Sequence, residues 1–243
     1  MLHKTQSISL HSVRYSDSSL VCYLYTLHYG RVAVLVNSAY GKGRKVGKAV
    51  LFSPLSMLDI VFYKTSRAGM GRLKEVVPTV ILGSIPYHPV KRAISLFMGE
   101  VIYRSVREEE CNEPLFDFLS NSIQMLDLME AGLPNFHLLF LVNLSKHLGF
   151  YPHGNFSAAS PYFDIKSGHF VGTQPKHPQF FDAQNSRILA SLLGIGIEQC
   201  TALTLNGSQR TAFMERMLAF YTYHLDGIHY IKSLGVLSQV FED

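Results

Sequence analysis

The run Leu20-Val21-Cys22-Tyr23-Leu24-Tyr25-Thr26-Leu27, then Tyr29-Gly30, then Arg31-Val32-Ala33-Val34-Leu35-Val36 decides how the first third of the chain folds. Both flanks are rich in β-branched and aromatic residues, which suit a pleated, half-buried surface, and the glycine between them accepts the positive φ of a tight turn. The stretch predicts two antiparallel strands joined as a hairpin. Upstream, Thr5 to Val13 alternates polar and apolar, with Ile8, Leu10 and Val13 at the inward positions of another strand, and Arg14-Tyr15-Ser16-Asp17-Ser18-Ser19 reads as the turn between them. Downstream, Ala49 to Tyr63 reads as a long fourth strand interrupted at Ser53-Pro54, where proline implies a bulge or an edge. Arg67 to Gly71 is a Gly and Arg turn, and Arg72 to Val77 a fifth strand. Five short strands without a long helix among them predict a small antiparallel barrel; a five-stranded oligonucleotide-binding (OB) barrel and an SH3-like barrel both fit the count and the size.

Between the third and fourth strands lies Tyr40-Gly41-Lys42-Gly43-Arg44-Lys45-Val46-Gly47-Lys48, with four cations and three glycines in nine residues. Glycine lets the backbone approach a ligand, and lysine and arginine bring positive charge suited to phosphate. It is not a P-loop, which needs glycine five residues ahead of its Gly-Lys pair and Ser or Thr behind it; Lys42 and Ala49 hold those places. It is not a dinucleotide fingerprint either, because Gly41, Gly43 and Gly47 are spaced too widely and no helix-forming run follows. What remains is a basic strand-to-strand loop, either a solvated surface or a seat for phosphates.

Charge is distributed unevenly. The chain has 243 residues, 47% of them apolar, and a net charge of +4. Residues 1–80 hold eleven lysines and arginines against three carboxylates, a net of +8, leaving −4 for the remainder. That split predicts two domains with different tasks, 1–80 facing a polyanion and 81–243 not. No run approaches the roughly 18 apolar residues of a membrane span. Met1-Leu2-His3-Lys4 leads into alternating polar residues rather than a signal-peptide core, so a cytoplasmic protein without a membrane partner is expected. Cys22, Cys111 and Cys200 are scattered, which offers neither a disulfide framework nor a cysteine zinc site.

After Pro78 the periodicity becomes helical. Val90 to Arg107 follows Pro89, Glu113-Pro114 opens a second helix with Leu115, Leu119, Ile123, Leu126 and Met129 on one stripe and Gly132 as its stop, and Pro134 to Leu148 is a third, apolar on all sides and therefore central. Phe150 to Phe181 lacks a helical period and reads as a long irregular insert with room for a small hairpin. Helices return at Asp182 to Leu193, Ser208 to Leu225, capped by Asn206 or Ser208 and ended by Gly227, and Ile231 to Val240. The fold class expected is α+β multidomain: the barrel, then an all-α domain with an insert at about 150–181.

Catalytic chemistry finds no footing. No serine sits in a nucleophile elbow, and no carboxylate pair stands out. His153, His169 and His177 in the insert match no compact ligand spacing, Asp164 and Asp182 suit turn and cap positions, and His224 and His229 fall at the end of the penultimate helix, so no metal, cofactor or catalytic residue is assigned. The nucleic-acid reading rests on Arg14, Arg31, Lys42, Arg44, Lys45, Lys48, Arg67, Arg72 and Lys74, with Tyr15, Tyr23, Tyr25, Tyr29 and Tyr40 among them as candidates to stack on bases. A protein-interaction scaffold and an enzyme acting on a phosphorylated small molecule are the readings from other classes.

The order of features resembles the RecO recombination mediators of bacteria. The likeness runs through Tyr15-Ser16-Asp17-Ser18-Ser19, Tyr25-Thr26, Gly30, the loop Gly41 to Lys48, Leu51-Phe52-Ser53-Pro54-Leu55 and Leu58-Asp59. It continues in Leu144-Ser145-Lys146-His147-Leu148-Gly149-Phe150-Tyr151-Pro152, Tyr162-Phe163-Asp164, Gly168-His169-Phe170, Arg216, Tyr221, His224, Lys232-Ser233-Leu234 and Val236-Leu237. The resemblance implies an N-terminal OB barrel, a C-terminal helical domain and a non-enzymatic role in DNA repair and homologous recombination. It also implies binding and annealing of single- and double-stranded DNA, contact with the tail of single-strand-binding protein, and action with RecR to help RecA displace that protein, in the cytoplasm at the nucleoid. Many members carry four zinc-binding cysteines where this chain has Phe150 to Phe181; none stands there, so a zinc-less variant is expected, its hairpin held by Tyr162, Phe163 and Phe170.

Overall fold

A computed structural model describes residues 1–41, 47–64, 69–228 and 230–241. It divides into two compact units, Met1–Asp127 and Leu128–Asp243. In the first, β1 (Leu2–Arg14), β2 (Leu20–Thr26), β3 (Gly30–Val36), β4 (Met57–Tyr63) and β5 (Met70–Val80) form a closed barrel in the order β1-β2-β3-β5-β4. β1 is long enough to pair with β2 through Ser7–Arg14 and with β4 through Leu2–Ile8, which closes the ring, while β3 meets β5 in parallel at Ala33–Leu35. This is the OB arrangement and not the SH3-like one. Leu24, Val34, Phe52, Ile60 and Phe62 fill the interior.

Gly30 makes the tight turn with φ +57°, and any Cβ there would meet the carbonyls of Glu108 and Glu110 at 2.6 and 2.4 Å. The turn therefore needs glycine twice, for its backbone conformation and for the chain crossing above it.

Three expectations are corrected. Ala49 to Tyr63 is not one strand: Lys48–Phe52 forms a short 3-10 helix, Leu55 turns the chain with φ +64°, and β4 starts only at Met57. The apolar run closes the end of the barrel, with Phe52 and Leu55 buried and tied to β1 through Ser9 Oγ donating to the Phe52 carbonyl and Leu55 N–H donating to the Ser9 carbonyl. Val13 points to solvent, because the register slips between Ser9 and His11. Gly132 does not end the second helix but caps the start of the third, at φ +77°.

The unit continues with α1 (Pro89–Ser105) and α2 (Glu113–Leu128). α1 lies on β1, where Gly99 allows approach to the Leu10 carbonyl; a Cβ would stand 3.3 Å from it. Asp127 accepts hydrogen bonds from the N–H groups of Gly83, Ser84 and Ile85 at 2.8, 2.9 and 2.7 Å, and buried Lys91 donates to Ser84 Oγ and the Asp127 carbonyl. Those contacts fix the barrel-to-helix connection against the end of α2.

In the second unit α3 (Leu133–His147) is central, with Leu138 to Val142 sealed from solvent. A 3-10 turn at Ile197–Ala202, α4 (Ala183–Leu193) and α5 (Gly207–His224) pack against it, and α6 (Ser233–Phe241) follows. Asp182 caps α4 through Asn185 N–H, and Asn206 with Gln209 forms a capping box on α5. The insert folds as a three-stranded sheet, β6 (Tyr162–Asp164) between β7 (His169–Val171) and β8 (Phe180–Phe181).

Candidate nucleic-acid interface

The basic loop is pinched at its root. Ala49 N–H donates to the Ala39 carbonyl at 2.8 Å, and Gly47 lies so close to Ala39–Gly41 that a Cβ would fall 2.3 Å from the Ala39 carbonyl oxygen and 2.4 Å from Gly41 N. Glycine is thus required at 47 for close approach of backbone to backbone. The same root is tied to the β1–β2 turn, where Ala39 N–H donates to the Ser18 carbonyl at 2.7 Å. Arg14, at the end of β1, places its guanidinium 5.4 Å from the Tyr40 ring centroid and pairs with Asp17 at 3.2 Å. Lys48 is exposed where the chain leaves the loop. Arg14, Tyr40 and Lys48 are therefore brought to the base of the loop that carries Lys42, Arg44 and Lys45.

Those three cations and Arg67 lie outside the described residues. Arg72 and Lys74 stand exposed on alternate positions of β5, the outward ones, while Leu73 between them packs on the core. The register sets Arg72 opposite Leu35 of β3, one residue from the level of Val36, Leu20 and Arg14. Lys74 pairs with Glu75 at 3.2 Å in an exposed contact that water and salt weaken.

Arg31 is placed differently. Its Nη1 donates to the carbonyls of Tyr103 and Val106 at 2.9 and 3.3 Å, and its guanidinium lies 4.3 Å from the Tyr103 ring centroid and 5.3 Å from that of Tyr23. It joins β3 to the end of α1. The tyrosines divide likewise. Tyr23 packs on Tyr103; Tyr25 is buried against Phe116, donates to the Asn112 carbonyl, and has its phenol pushed up to about 12, chiefly by burial. Tyr29 sits edge-on to His3 and Phe62. Tyr15 and Tyr40 remain exposed, at 65% and 37%. Sequence spacing marks all five as strand or turn residues and carries no signal of which ones the helices cover.

The insert offers no matching set of ligands for the zinc that the resemblance attaches to many family members. Its potential ligands are dispersed: the His153 and His169 rings tilt 5.4 Å apart, His169 Nδ1 contacts the Ser167 carbonyl, and His177 Nε2 sits 3.3 Å from Asp164. Among the described residues no group of three or more His, Cys, Asp or Glu could hold a metal. Phe163 takes the centre instead, fully buried, with Phe170, Phe181 and Phe220 rings at 5.2, 5.3 and 5.4 Å. His224 stacks on Phe150 and reaches the Ile165 carbonyl through Nε2; His229 lies outside the described residues. Cys22 and Cys200 are buried thiols pushed up to about 12, chiefly by that burial. No helix among the described residues is long and apolar enough to cross a membrane.

Comparison with known proteins matches the chain in two parts. The family described as Recombination protein O N terminal matches residues 1–81, and Recombination protein O C terminal matches residues 88–234. The DNA repair protein RecO of Bacteroides fragilis is 35% identical over 243 residues, covering all of both chains. That of Phocaeicola vulgatus is 34% identical over 241 residues, 99% of this chain and 100% of its own. The RecO of Christiangramia forsetii is 32% identical over 241 residues, with the same coverage. Matched in both halves and along its whole length, the chain belongs to the RecO family of DNA repair proteins.

Proposed function

We propose that this protein is a non-catalytic recombination mediator that binds single- and double-stranded DNA on the loop side of its barrel. The observation that carries this reading is the pinned root of the 41–47 loop, which gathers Arg14, Tyr40 and Lys48 beneath a run containing three further cations. Each lysine or arginine that neutralises a phosphate releases counterions, so a few such contacts make affinity fall steeply with salt. Exposed Tyr15 and Tyr40 offer faces on which unpaired bases stack. Arg72 and Lys74 extend the path along β5. Arg31 serves in this reading as a clamp on α1 rather than as a phosphate ligand. Family membership supports the rest: annealing of complementary strands, engagement of the tail of single-strand-binding protein, action with RecR toward RecA, and a cytoplasmic, nucleoid-associated setting.

The test is fluorescence anisotropy of labelled single-stranded DNA across a salt series, comparing the native chain with Lys42, Arg44, Lys45 and Lys48 all changed to Glu. Steep salt dependence in the native chain and its loss in the variant, with circular dichroism unchanged, is the expected result. Binding that survives the four changes moves the site off this loop. No binding by either chain at low salt ends the DNA reading and favours a scaffold.

A further inference from the structure

The β1–β2 turn sets a carboxylate beside the root of the basic loop. Residues 1–58 hold seven lysines and arginines and a single acid, Asp17. Its Oδ1 lies 3.2 Å from Nη2 of Arg14, the root cation that leans on Tyr40. The turn is itself tied to the loop, through the Ala39 N–H that donates to the Ser18 carbonyl. Arg14 has two further holds that need no carboxylate: Nε donates to the Ser16 carbonyl at 3.3 Å, and the guanidinium lies 5.4 Å from the Tyr40 ring centroid. Position is therefore supplied without Asp17. What Asp17 adds is an anionic oxygen on the edge of the guanidinium that a phosphate oxygen would take.

We propose that Asp17 is a resident competitor for DNA phosphate. Its carboxylate occupies Arg14 in the free protein, gives way to a backbone phosphate on binding, and recaptures the guanidinium on release. This role rests on the DNA reading and adds to it a residue that limits affinity. The Arg14 side chain is 65% exposed and that of Asp17 fully so, which keeps the pair weak enough to exchange. A residue that merely aimed Arg14 would act with the opposite sign, because its loss would weaken binding. Exchange also has a counterion signature. In the native chain the phosphate gained by Arg14 is offset by the carboxylate set free, which gathers a cation of its own; without Asp17 nothing offsets it.

The experiment uses the full chain and labelled single-stranded DNA, with anisotropy read across a salt series. The native chain is compared with Asp17→Asn, Asp17→Ala, Arg14→Gln, and Asp17→Asn combined with Arg14→Gln. Both Asp17 variants are expected to bind about two- to fivefold tighter at low salt, with a salt slope steeper by up to about 0.7 and native-like urea denaturation. In the Arg14→Gln background, Asp17→Asn loses most of that effect. Asp17 variants that bind no tighter than a native chain which itself binds DNA overturn the proposal and leave the DNA reading standing. Tightening that keeps half its size or more without Arg14 makes Asp17 a general repulsive charge, which also overturns it. No binding by the native chain or any variant removes the DNA reading and this role together.

Discussion

Replacing Arg31 separates two roles that a cation on a barrel strand can have. Its guanidinium donates to two backbone carbonyls, Tyr103 at 2.9 Å and Val106 at 3.3 Å, and lies over the Tyr103 ring at 4.3 Å. A hydrogen bond from a charged donor contributes about 1.5–3 kcal/mol and a partly desolvated cation–π contact about 0.5–2 kcal/mol. The longer bond counts for less, Arg31 is only half-buried so water replaces part of what is lost, and freeing the side chain returns up to about 2 kcal/mol of entropy. The net expected for Arg31→Ala is a loss of about 2–3 kcal/mol. Arg31→Lys keeps the charge but not the fork that reaches both carbonyls over an aromatic face, and should lose about 1–2 kcal/mol.

The assay pairs urea denaturation of the full chain with the salt dependence of single-stranded DNA binding. Hydrogen exchange of the segments 30–36 and 103–106 localises the loss. A clamp predicts lower stability in both variants, faster exchange in both segments, and an unchanged salt slope. A phosphate ligand predicts the reverse: stability intact, and a slope smaller by about one in the alanine variant but kept by lysine. An unchanged urea midpoint with a reduced slope would refute the clamp and return Arg31 to the DNA path.

Two further changes test the surrounding framework. Gly47→Ala drives a Cβ into the backbone of Ala39 and Gly41, with no flexible side chain to yield, so it should cost about 1–3 kcal/mol in urea denaturation and weaken DNA binding by displacing the root of the basic loop; unchanged affinity would detach that root from the site. Asp127 is pushed up by burial but held lower, on balance, by the Gly83, Ser84 and Ile85 N–H groups and by Lys91, leaving its carboxyl below the ordinary value. Because the folded value is the lower one, its stabilisation is complete above the unfolded carboxylate value of about 3.9 and drains away as pH falls through the folded one. Asp127→Asn should therefore lower the unfolding free energy at pH 7, read from urea denaturation, by about 1–3 kcal/mol, and flatten the acid limb of stability against pH; a parallel shift at every pH would contradict this.

Much of this architecture is legible in the sequence because it depends on neighbours in the chain. The β2–β3 hairpin is written in Leu20 to Val36, the central place of α3 in its all-round apolarity, and the start of α5 in the pair Asn206 and Ser208, of which Asn206 is the cap. The misread elements depend on distant partners. Val50 to Phe52 has a strand's composition, yet it coils because Ser9, some forty residues earlier in sequence, takes its carbonyl and the barrel end needs a plug. The hold of Asp127 on residues 83–85 spans more than forty residues and has no motif. The turn at Ile197–Ala202 has too short a period to announce itself beside longer helices.

The candidate site shows the same limit in its charges. Arg14, Arg31 and Arg72 are equivalent on paper: each lies on a barrel strand of a strongly basic half-chain. What divides them is Tyr103, seventy-two residues beyond Arg31, which lies over the outer face of β2 and β3 at Tyr23 and Arg31 and draws that guanidinium inward. Nothing comparable covers Arg14 or Arg72 among the described residues; the first leans on exposed Tyr40 and the second projects from β5. Net charge of a segment thus reports how many cations are available for a polyanion at most. The number left facing solvent is set by what the following helix covers, and Tyr103→Ala should loosen Arg31 only in part, because it removes the ring but keeps the two backbone carbonyls to which the guanidinium donates.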